Sequence, residues 1–163
     1  MRHGWIFGLV LGTTLLLGAA PRLAHASHYA VADVPTLVSA ADAEKLKKAG
    51  VATTEDLLGH AAKAKDRKAL AKSSGLSNAA LVNLAKRCDL LRIKGVGPEM
   101  VLLLEAAGVK STADLTKKEA AALMTTANDA NKVKKITEKP PTEPQYQDWI
   151  EQAKQLPQLI EAK

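Results

Sequence analysis

The stretch RIKGVGPEMVLLLEAAGV, Arg92 to Val109, sets a Gly-Val-Gly-Pro turn directly before a run of apolar residues. Gly95 and Gly97 offer backbone angles that a side chain forbids, and Val96 between them is placed to fill the gap between two helices. Pro98 suits the first helical position, where its missing N–H has no partner to lose. The segment that follows, Met100 to Leu104, is apolar on every side, which predicts a central helix buried against its neighbours. Such a turn serves one of two ends. It lets two helices pack closely, or its amides at Gly95, Gly97 and Glu99 hold an anion at the positive end of a helix.

Outward from this turn, apolar residues recur at helical spacing and nothing alternates as a strand does. Helix starts are marked by Thr53 and Thr54, Ser77, Ser111 with Asp114 three residues on, Thr116 with Glu119 three residues on, and Thr142. Gly50, Gly75 and Gly108 stand where helices are expected to stop. A shift of 58 residues lays LVSAADAEKLKKAGVATTEDL, Leu37 to Leu57, on GVGPEMVLLLEAAGVKSTADL, Gly95 to Leu115. A third echo, GLSNAALVNLA, Gly75 to Ala85, sets Leu81 and Leu84 on Val101 and Leu104. Three hairpins emerge, and only the last keeps both glycines.

These residues resemble the helix-hairpin-helix superfamily, whose motif is an apolar residue, any residue, then Gly-apolar-Gly, with a small or apolar residue four positions later. Ile93, Gly95, Val96, Gly97 and Val101 fill it. Asp33 to Cys88 is also similar to the small helical N-terminal domain of archaeal RecA-type recombinases: DAEKLKKAGVATTEDL keeps the second half of that pattern and loses its glycines. Over nearly all of residues 27–163, including CDLLRIKGVG and DWIEQAKQL, the chain resembles an uncharacterised bacterial family built from these hairpins and known only as a domain of unknown function. The resemblance implies an all-α fold of tandem helix-hairpin-helix units, one intact and two degenerate, closed by a C-terminal capping helix. In the superfamily this turn usually meets a duplex phosphate, a contact that positions a protein without reading sequence.

Arg87, Arg92 and Lys94 lie just before the turn and can neutralise neighbouring phosphates. Glu99 opposes them, since a carboxylate at that position suits the helix dipole and repels phosphate. Two partners follow from the residues: a nucleic-acid backbone met through residues 93–109 without sequence specificity, or an envelope protein, with the hairpins purely structural. A helix at Trp149 lying over the turn would favour the second. No catalytic or metal site can be nominated. His28 and His60 have no ligands at metal spacing, no Ser/His/Asp or paired-carboxylate set is present, and neither a cofactor nor a small-molecule substrate is implied. The expectation is a binding module, not an enzyme.

The first residues decide the compartment. Arg2 and His3 precede an uncharged apolar run from Trp5 to Ala20 and then Ala24-His25-Ala26, the pattern of a secretory signal cut after Ala26. The run is short for a bilayer span, so no transmembrane segment is expected after cleavage, and the protein is expected in the periplasm or outside the cell. Residues 27–139 then form the hairpin domain, carrying a net charge of +6, and residues 140–163 a Pro-rich linker and capping helix with a net charge of −2. Cys88, the only cysteine, falls in an apolar pattern with Leu81, Leu84, Ala85 and Leu91, which predicts a buried thiol. Tyr146 and Trp149 are expected to close the core, and the last seven residues to fray.

Overall fold

A computed structural model describes residues 28–161; the expected signal segment, 1–26, lies outside them. The described chain is all helical. A 3-10 turn at Val31–Asp33 leads into α1 (Ala40–Lys48), α2 (Thr54–Ala61), α3 (Ala64–Ser74), α4 (Asn78–Leu90), α5 (Pro98–Ala106), α6 (Thr112–Leu115), α7 (Ala120–Lys134) and α8 (Glu143–Gln155). The closest pairs are α2 with α4 and α7 with α8. Val101, Leu103 and Leu104 of α5 are fully buried, yet this helix packs mainly on α7, so the densest centre is the α2–α4 pair and not α5. Apolar stripe strength alone does not place a helix in the middle.

The 58-residue repeat seen in the sequence is present bond for bond. Helices α1 and α5 have nine residues each and start and stop at matching positions. In the first copy the Val51 N–H donates to the Leu46 carbonyl at 2.9 Å, and in the second Val109 donates to Leu104 at 2.8 Å. Gly50 and Gly108 turn the chain at φ 82° and 80°. Thr53 and Ser111 then cap the next helix through the Asp56 and Asp114 amides, while those aspartates accept from Ala52 and Lys110. The bonds from Thr53, its hydroxyl first, hold the Asp56 carboxyl below its usual range. Thr116 proves to be the end of α6, not a cap for α7. Glu119 itself accepts from the Ala121 and Ala122 amides, because a carboxylate reaches two first-turn donors from the cap position.

The C-terminal segment folds back twice. Helix α7 stops at Lys134, with Lys135 in the left-handed region, before the prolines are reached. Helix α8 then buries Tyr146, Trp149, Ile150 and Ala153 against α6 and α7, with the two rings edge to face at 5.3 Å. Beyond it, residues 157–161 do not fray. The Glu161 N–H donates to the Ala62 carbonyl (2.9 Å), the Glu161 side chain accepts from the Ala64 N–H (2.8 Å), and the Pro157 and Glu161 carbonyls accept from Arg92 and Arg67.

Arg67 is fully buried and has no carboxylate partner among the described residues; it donates to the Ala61 and Ala62 carbonyls at the end of α2, to Asn78 at the start of α4, and to the Glu161 carbonyl. A guanidinium suits this place because its five donors spread in a fixed fork, and the end of a helix offers unpaired carbonyls at the negative end of its dipole. Arg67→Ala leaves the Ala61 carbonyl without its guanidinium donor and the Ala62 carbonyl with the Glu161 N–H alone, and is expected to cost on the order of 3 kcal/mol in urea unfolding. Arg67→Lys, which keeps the charge and loses the fork, is expected to recover less than half of that.

Two buried acids are held neutral: burial pushes the Cys88 thiol from its ordinary 9.0 up to about 12, and the Tyr146 phenol from 10.0 to about 12. Both bind their proton more tightly in the folded chain than in the unfolded one. Stability from these groups is therefore full below about pH 9 and is lost as pH rises toward 12. The Tyr146 hydroxyl has no hydrogen-bond partner among the described residues. Tyr146→Phe is expected to leave the melting temperature at pH 7 unchanged or higher, and to flatten the loss between pH 10 and 12, read from melting curves across that range.

Candidate functional site

The turn from Leu91 to Gly97 joins α4 to α5. Ile93 and Val96 are fully buried and the Val96 N–H closes on the Ile93 carbonyl at 3.0 Å, so Val96 does fill the gap between the helices. Gly95 sits at φ 89°, where a side chain is strained. A Cβ built there stands 3.1 Å from Nε1 of Trp149. Gly97 differs from the expectation. Its backbone, φ −95° and ψ −179°, is one that any residue adopts, and the matching residue of the first copy, Ser39, caps α1 through the Asp42 amide. Pro98 opens α5 as expected, Val101 is buried beneath it, and Glu99 is exposed.

The three basic residues that sequence gathers at this turn do not share an open face. Arg87 donates to Glu105 on α5 (2.8 Å) and to the Leu37 carbonyl (2.7 Å), tying the two copies together. Arg92 donates to the buried carboxylate of Asp89 at 2.6 Å and to the Pro157 carbonyl at 3.1 Å. Asp89 in turn accepts from the Thr112 amide and hydroxyl, so both of its oxygens are engaged inside the fold. Only the side chain of Lys94 stays exposed.

Helix α8 lies over the turn. The Gln152 side chain accepts from the Lys94 N–H (2.8 Å) and donates to the Lys94 carbonyl (3.2 Å) and to Asp148. Asp148 and Trp149 line the same shallow groove as Lys94 and Gly95. A phosphate approaching the turn from this side meets Asp148 on one flank, and Glu99 stands at the start of α5. Gln152, Asp148, Asp89 and Glu105 escaped the sequence reading, since each acts across 18 or more residues or through a burial that spacing does not show. Among the described residues no cluster of three metal-ligating side chains occurs, and no helix is long and apolar enough to cross a membrane.

These features define an all-α protein of repeated helix–turn–helix units sealed by its own C-terminal helix. The chain belongs to the family described as Domain of unknown function (DUF4332), which matches residues 36–156. The sequence resemblance to a family of that kind is thereby borne out. No curated protein matches the chain, and no solved structure does.

Gly95 and Gly97 can be told apart by substitution. Gly95→Ala meets both a positive φ and the Trp149 ring and is expected to lower stability by about 1–3 kcal/mol. Gly97→Ser, which copies the Ser39 cap, is expected to change it by only about a few tenths of a kcal/mol. Chemical denaturation of the two variants checks the contrast, and equal losses would show that the turn is held by something other than the Gly95 conformation.

Proposed function

We propose that the protein is a non-catalytic binding module of the cell envelope that engages another protein, with its hairpins serving as scaffold. One observation carries this reading: α8 lies against the Gly-Val-Gly turn and satisfies both backbone polar groups of Lys94. That flank of the turn is therefore engaged inside the fold. A foothold for a protein partner lies elsewhere, at the end of α7, where Val133 is 82 % exposed among Lys132, Lys134 and Lys135. An exposed apolar side chain at a helix end rich in lysine, one of them paired with Asp129, suits a partner surface that is acidic around a small apolar spot. The export signal read at residues 1–26 supports the envelope as the place of action.

The competing reading, the one that the helix-hairpin-helix resemblance favours, is sequence-independent contact with a nucleic-acid backbone through residues 93–109. It draws on the exposed Lys94 side chain and on the first turn of α5, which no side chain caps. It has to do so beside Glu99 and Asp148, and with Arg87 and Arg92 committed to internal carboxylates.

A duplex DNA titration at low ionic strength, where backbone contacts are strongest, separates the two. Saturable binding is not expected. Tight binding that weakens in Lys94→Ala and loses about one unit of salt slope would overturn the scaffold reading. In the same preparation, proteins retained from a periplasmic extract are expected to survive nuclease treatment and to be lost in the double variant Val133→Glu, Lys134→Glu. Intact mass of the exported protein is expected to begin at Ser27.

A further inference from the structure

Helices α2 and α4, the start of the turn that follows α4, and the C-terminal strap, residues 157–161, line an open cavity of about 360 Å³. Its floor is aliphatic: Leu58 and Ala62 of the α2 end, Leu91, and the Cys88 thiol, all buried. Leu159 of the strap closes one wall and no Phe, Tyr or Trp lines it. This volume falls within the range of about 300–1,000 Å³ typical of small-molecule sites, and it is open with the strap in place.

Gly59 gives the cavity a second, independent mark. It lies inside α2, where glycine is costly relative to alanine, and its backbone has ordinary helical angles, so no turn requires it. Nothing stands within 4 Å of a Cβ built on it. The residue lines the cavity and is itself exposed, so there is open space around it for a side chain.

The charges at the rim say what enters. Lys63 is exposed and takes part in no ion pair among the described residues. The Arg92 guanidinium lines the wall, its charge partly met by Asp89. The carboxylate lining the cavity, Glu55, faces His28 at 3.5 Å. Beside Lys63, the first amide of α3 already holds a carboxylate, that of Glu161 at 2.8 Å. We propose that this cavity binds a single-chain aliphatic carboxylate, its chain over Leu58, Gly59, Ala62 and Leu91 and its carboxylate beside Lys63.

The test uses decanoate below its micelle concentration, with decanol and acetate as comparison ligands, followed by calorimetry and by competition against an anionic naphthalene sulfonate dye. The full-length exported protein is expected to bind one decanoate per chain, decanol more weakly, and acetate not at all. Gly59→Phe is expected to fill the cavity and abolish both decanoate and decanol binding. Gly59→Ala, which removes the helix penalty and only narrows the space, is expected to raise the melting temperature while weakening decanoate binding several-fold. Lys63→Glu is expected to weaken decanoate about tenfold and leave decanol unchanged. Decanoate binding that survives in folded Gly59→Phe would place the ligand elsewhere and overturn the proposal. So would the absence of binding to wild-type protein, or decanol binding as tightly as decanoate with no effect of Lys63→Glu.

Discussion

The carboxylate of Asp89 is the constraint on which the arrangement around the turn depends. It is buried at the end of α4, where an unpaired charge is not tolerated, so its surroundings must supply donors. They come from both sides: the amide and hydroxyl of Thr112 at the start of α6, and the guanidinium of Arg92 in the turn. Arg92 then reaches the Pro157 carbonyl and holds the strap. One carboxylate thus fixes the second copy of the repeat on α4 and sets where the C-terminal segment can run. A residue so placed takes its neighbouring arginine out of the pool of free surface charge, whatever the net charge of the chain.

The duplication explains why two helix pairs with little identity share their geometry. What repeats is the set of polar fixtures: a left-handed glycine, a hydroxyl cap and an aspartate that reaches back to the amides before it. Between them the apolar positions need only size and spacing, which is why Leu46 and Leu104 coincide while many neighbours differ. The copies part at the entrance to the first helix. There Leu37-Val38-Ser39 replaces Gly-Val-Gly, and the Leu37 carbonyl is used by Arg87 instead.

Much of this was legible in the sequence because it is local. Caps at Thr53, Ser77, Ser111 and Thr142, stops at Gly50, Gly75 and Gly108, and the burial of Cys88 and Trp149 all follow from residues within one or two turns of one another. The candidate site was legible only in its outline. Arg67 looks like any surface arginine of an amphipathic helix, yet its partners lie up to 94 residues away. Gln152 is an ordinary polar residue of α8 until the chain folds and brings it 58 residues back to Lys94. Sequence spacing reports which residues share a helix face; it does not report which surface charge another element will claim. That is why Arg87, Arg92 and Lys94 read as one basic cluster and fold as two internal ties and one exposed lysine.

The acidic tail and the basic body divide the molecule accordingly. Helix α8 brings Asp148 into the groove beside Lys94 and Gly95, so a carboxylate stands next to the turn, while Glu151 is paired with Lys154. At the cavity the strap contributes backbone, Leu159 and one carboxylate, and Lys63 stands at the rim. Coulomb interactions at the rim of a low-dielectric pocket are less screened than those on an open surface. The same C-terminal segment therefore lies against the hairpin turn through α8 and walls the aliphatic cavity through Leu159, which ties both functional readings to how firmly α8 and the strap are held.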